Sequence, residues 1–193
     1  MLNLVGIVNG DPLRDSGLSQ EGMMEARELG RQISAVAVQL VVVSPFPRAL
    51  QTAELALEGR EIRRVVDDDL SDIRLGELEG ATLARYRAAK PHSDHNVRFP
   101  AGESLNEAAC RYAGAFERLL ARSESVTLVV CHELAVRYSV NAASGSHDLD
   151  KPLHNVGNAT PYVFDTVGLQ RAITRMRGLA HCAVSASGDR ENA

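Results

Sequence analysis

Apolar positions along this chain follow two rhythms. The continuous apolar run at residues 40–43 reads as a strand covered on both faces, since a half-exposed strand would alternate apolar with polar, and residues 2–8, 62–66 and 126–131 read as further strands. Between them, apolar side chains recur at three- and four-residue steps, the spacing of one helix face. One such series is Met23, Ala26, Leu29, Ile33 and Val36, with Ser19 as the cap; another is Leu105, Ala109, Tyr112, Phe116 and Leu119. The pair Ser44-Pro45 predicts a helix start, with the hydroxyl as cap and the proline as first helical residue. Shorter helices are expected over 81–89 and from Glu133 to about Ala143. Residues 160–165 and 169–176 flank Gly168 and read as a terminal hairpin, with Arg171, Thr174, Arg175 and Arg177 on a solvated edge.

Strands alternating with helices predict an α/β fold of three layers, a mostly parallel sheet flanked by helices. One domain is expected over 1–177, followed by a small, polar, flexible tail over 178–193.

Composition narrows the function classes. The 193 residues suit one sizeable core, and a net charge of −4 gives no broad basic surface for nucleic acid. No apolar run has the length of a membrane span, and residues 2–8 lack the charged flank of a signal peptide. Three cysteines at no metal-type spacing read as idle thiols in a reducing compartment, so the cytoplasm is the expected location. No metal or organic cofactor is indicated.

The chemistry gathers at strand exits. In open α/β sheets, ligands bind beyond the carboxyl ends of the strands. The run 128–131 ends at His132, and the run 41–43 leads through Ser44 to Arg48. Arg48, Gln51 and Thr52 then share one helix side by spacing. The opening run ends at Gly6-Ile7-Val8, which delivers nothing charged.

Four ordered segments carry a resemblance. Ser44-Pro45-Phe46-Pro47-Arg48-Ala49-Leu50-Gln51-Thr52-Ala53 resembles the Ser-Pro-x-x-Arg-Ala-x-Gln-Thr-Ala segment of the histidine phosphatase superfamily, the group that includes the cofactor-dependent phosphoglycerate mutases. Residues 70–80 are similar to its Leu-x-Glu-x-x-x-Gly-x-x-x-Gly stretch, with Asp72 where a Glu usually stands. Gly102-Glu103-Ser104 resembles its Gly-Glu-Ser helix start, and Val130-Cys131-His132-Glu133 its second-histidine motif. The resemblance implies a phosphoglycerate mutase-like fold, with Arg48, His132 and Ser104 holding the oxygens of a phosphate and Asp72 with His132 as the catalytic groups. Guanidinium forks fit phosphate oxygens two at a time, and a carboxylic acid protonates the leaving oxygen.

The front of the chain departs from the family. There the family reads Leu-Val-Arg-His-Gly, and that histidine is the phosphorylated nucleophile. Counting back from Leu18-Ser19 puts Gly6, Ile7 and Val8 at the Arg-His-Gly positions; a slipped register would put Asn9-Gly10 at His-Gly. Neither supplies an imidazole, and the first histidine of this chain is His92. A degenerate member is therefore expected, keeping a pocket for a small anionic metabolite, phosphate or sulfate, without phosphatase or mutase turnover. Three other readings stay open. One is an isomerase, lyase or cyclase using His132 as acid or base and Arg48 as anion hold. Another is a residual phosphatase in which water, His92 or His95 stands in for the nucleophile. The last is a purely structural role.

Overall fold

The computed structural model describes residues 6–89, 94–146, 148–149 and 156–188, with side chains through residue 179. Strand β1 (Leu40–Val43) lies between β2 (Arg63–Val66) and β3 (Thr127–Val130), parallel to both. Helices α1 (Gln20–Gln32), α2 (Pro47–Ala56), α3 (Leu83–Ala89), α4 (Leu105–Leu120), α5 (Glu133–Ala143) and α6 (Thr166–Gly188) complete the described elements.

The central strand explains the layers. Side chains alternate across a strand, and all four of β1 are buried, so each face needs its own cover. Val41 and Val43 pack with Leu29 of α1 and with Ala49 and Ala53 of α2. Leu40 and Val42 pack in the larger core, which holds Ala109 and Tyr112 of α4, Tyr138 of α5 and Ile173 and Met176 of α6. The result is an α/β fold with a small parallel sheet flanked by helices.

Several expectations change. Ser44 does not cap a helix: α2 begins at Pro47, with Phe46 at the cap position. Residues 2–5 of the expected opening strand lie outside the described residues. Residues 6–8 are not in the described sheet, where β1 and β3 pair directly; Ile7 instead bridges Thr82 antiparallel, and Val8 N–H donates to the Ala81 carbonyl. The expected terminal hairpin is replaced, since its second half lies within α6. Ala172, Ile173 and Met176 are buried there at helical spacing. This helix passes residue 177, where the domain boundary was expected, and continues to Gly188. On α1, the series ends earlier than the pattern suggests: Ile33 is the C-cap and Val36, beyond the helix, is exposed.

Candidate functional site

The sheet register builds the site. Val43 of β1 pairs with Val130 of β3, and Ser44 N–H donates to the Val130 carbonyl at 3.0 Å. Both chains therefore leave the sheet at the same level, and Ser44 meets His132. The Ser44 hydroxyl lies 2.7 Å from His132 Nε2. His132 holds the N-cap position of α5 in extended backbone, without a capping hydrogen bond from its side chain. Phe46, completely buried, presses edge-on to the imidazole with ring centroids 4.5 Å apart.

At the second residue of α2, Arg48 folds back over Phe46, its guanidinium carbon 4.3 Å from the ring centroid. Arg48 Nη2 lies 3.1 Å from His132 Nδ1 and donates to Asp72 Oδ2 at 3.0 Å. A guanidinium has only donors, so Nδ1 is the acceptor. The ring is thus assigned as the neutral tautomer with its proton on Nε2, donated to Ser44. Burial is the main cause that pushes the His132 pKa down from 6.5 to about 4; Asp72 opposes it and Arg48 adds to it.

Asp15 completes the cluster, and nothing in the sequence singled it out. It follows the short 3-10 turn Pro12–Arg14, an ordinary setting for an aspartate. Its side chain is only 4% exposed; Oδ2 accepts the Arg48 backbone N–H at 2.8 Å, and Oδ1 lies 3.5 Å from Arg48 Nη1. One cation thus faces two carboxylates beside a neutral imidazole, which leaves the group with one negative charge in excess.

Arg48, Asp72 and His132, expected together, do meet. Ser104 has a different setting: its hydroxyl accepts the Glu107 N–H in a capping box at the start of α4. Gln51 and Thr52 serve the scaffold. Gln51 Oε1 accepts the Leu18 N–H at 2.7 Å, and the Thr52 hydroxyl donates to the Arg48 carbonyl within α2. His92 lies outside the described residues; among those described, no hydrogen bond joins the His95 ring to Arg48, Asp72 or His132. Cys131, next to His132, has its thiol pushed up to about 12 by burial, which makes it a poor nucleophile.

A buried ion pair underpins Asp72. Glu103 and Arg111 are paired, each with a side chain no more than 8% exposed. Arg111 donates to the carbonyls of Asp69, Ser71 and Asp72, and Glu103 accepts the Arg74 N–H at 2.9 Å. Burial disfavours the Arg111 cation, but the hydrogen bond and charge of Glu103 outweigh it and raise its pKa. On the other side, Glu79 accepts the N–H groups of Gly10 at 2.8 Å and Leu75 at 3.1 Å. Among the described residues, no set of His, Cys, Asp and Glu gathers as a metal site, and no helix is long and apolar enough to cross a membrane.

Known proteins resemble this chain in sequence and fold. The chain is 29% identical over 139 residues to a probable phosphoglycerate mutase, GpmB, of Erwinia tasmaniensis, covering 68% of this chain and 65% of that protein. It is 31% identical over 149 residues to a bifunctional protein of Mycobacterium tuberculosis, covering 68% of this chain and 41% of that one. It therefore spans less than two thirds of either relative. Among solved structures, Bacillus stearothermophilus YhfR superimposes with a TM-score of 0.67 at 27% identity, over 75% of each chain. An α-ribazole-5'-P phosphatase of Escherichia coli, put forward as such, shares the fold at TM-score 0.67 and 21% identity, over 78% of this chain and 76% of that one. The family model described as the histidine phosphatase superfamily (branch 1) matches residues 3–177. This chain belongs to the histidine phosphatase superfamily.

Proposed function

We propose that this chain binds a small oxyanion, or a metabolite carrying one, at Arg48 and His132 without running a phosphohistidine cycle. The observation that carries the reading is that, among the described residues, His132 is the only imidazole hydrogen-bonded to the Arg48 cluster, and it is turned to Ser44 and Arg48 rather than free to attack. The family match begins at residue 3, so the opening segment, which holds no histidine, lies within the matched range. Relatives named for phosphorylated small molecules, such as phosphoserine phosphatase 1 of Hydrogenobacter thermophilus, support the ligand class.

The charge arrangement sets how such a ligand binds. Asp15 and Asp72 already flank the guanidinium, so an incoming oxyanion must take Asp72's place on Arg48. A charge-assisted contact contributes roughly 1.5–3 kcal/mol. Replacing Asp72 by its neutral amide removes the competing charge, so Asp72→Asn should bind inorganic phosphate about tenfold or more tightly than the native protein in titration calorimetry. Weaker binding by this variant would count against the exchange. The decisive experiment is a screen of phosphate monoesters for phosphate release. Turnover at roughly 1 per second or faster, the lower range of ordinary enzymes, would overturn the reading.

A further inference from the structure

Among the described residues, the opening segment meets the Arg48 guanidinium through Asn9. Asn9 offers its backbone carbonyl to Arg48 Nη2 at 3.5 Å. The next residue, Gly10, runs flush against the stretch after Asp72: a Cβ there would lie 2.3 Å from the Ile73 carbonyl oxygen and 2.5 Å from Glu79 Oε1. Any side chain at position 10 would push the segment off this wall. Ile7 is held elsewhere, in its bridge to Thr82.

Asn9 is 8% exposed. Its Oδ1 accepts the Asp11 N–H at 3.0 Å, which fixes Nδ2 as the other end of the amide. Nδ2 is buried and has no hydrogen-bond partner among the described residues. Buried polar groups are normally paired, and each exception requires a reason. A donor left over on the residue whose backbone carbonyl meets the Arg48 guanidinium suits an acceptor that carries several oxygens.

We propose that the Asn9 side-chain amide is a ligand-binding donor, giving a hydrogen bond to an oxygen of a phosphate-type oxyanion held at Arg48. This rests on the oxyanion reading above and deepens it. It also fixes the register: Asn9-Gly10, not Ile7-Val8, stands at the family's His-Gly. An amide at that position grips the oxyanion reversibly and forms no bond to phosphorus.

The substitution Asn9→Asp separates donor from scaffold, because a carboxylate keeps the acceptor for Asp11 N–H and loses the Nδ2 donor. Calorimetric titration with inorganic phosphate should show at least about a tenfold loss of affinity in Asn9→Asp, since a carboxylate repels the anion that the amide would hold. Ile7→Ser should stay within about twofold of native. Unchanged affinity in Asn9→Asp, or a loss in Ile7→Ser alone, overturns the proposal. A second arm does not depend on native affinity. With p-nitrophenyl phosphate, the Asn9→His imidazole attacks phosphorus, an N–P bond forms, the P–O bond breaks, and p-nitrophenolate departs with the electron pair. Intact-protein mass spectrometry should find one added phosphoryl group on Asn9→His and none on Ile7→His. Label on Ile7→His, or on neither variant, overturns the assignment. Phosphate release by the native protein would instead sink the reading above.

Discussion

Ser44 and His132 leave adjacent strands at one level, and the Arg48 guanidinium, which can only donate, makes Nδ1 the acceptor and leaves the proton of the neutral ring on Nε2, facing Ser44. That neutrality has a measurable consequence. The folded-state pKa of His132 lies at about 4, below the ordinary 6.5, so the unfolded chain binds the proton more readily. The contribution to stability is complete above pH 6.5 and is lost as the pH falls from 6.5 through 4. It amounts to on the order of 3 kcal/mol for a shift of this size in a side chain so deeply buried. Urea denaturation across that window should show the fall, and His132→Gln should flatten it; an equal slope in the variant would exclude His132 as its source. Arg48, Asp72 and His132 could be found in the sequence because each sits at a fixed offset from a strand end or a glycine. Asp15 could not, since a single aspartate in a turn has a sufficient local reason to be there. Ser44 was misread because Ser-Pro also spells a helix start, and only the neighbouring strand shows that its hydroxyl belongs to the histidine.

At the level of elements, local preference and packing pull in opposite directions on α1. Gly30 lies inside this helix, where alanine would gain about 1 kcal/mol of propensity. A Cβ at position 30, however, would lie 2.7 Å from the Ala56 carbonyl oxygen at the end of α2. Backbone cannot give way as a side-chain tip can, and overpacking of this kind costs about 1–3 kcal/mol. Packing should win: Gly30→Ala is expected to lose about 1 kcal/mol or more in urea denaturation, and a gain would show that the two helices separate freely. The same competition explains which elements were legible. The periodicities of α1 and α4 agreed with their propensities, and both helices were found. In α6, Ile173 and Thr174 are β-branched and favour a strand over 169–176. Burial of Ala172, Ile173 and Met176 in the core shared with α4 and α5 decides for helix. Whether a short apolar run joins the sheet is not a local property either: residues 6–8 are apolar, yet β3 occupies the place beside β1.

At the scale of the molecule, the family could be recognised because its fixed residues shape the turns and strand exits that any member needs. The Glu79 carboxylate joins two stretches far apart in sequence, one oxygen on the Gly10 amide and the other on that of Leu75. Burial raises its pKa, the two amides oppose that rise, and the Asp11 and Asp72 charges add to it. A single side chain thereby makes the opening segment and the Asp72 loop one mechanical unit. Whatever draws Asp72 away from Arg48 also pulls on Gly10. Saturating phosphate should change the deuterium uptake of both amides together, by a similar factor, and Glu79→Gln should let the two rates drift apart.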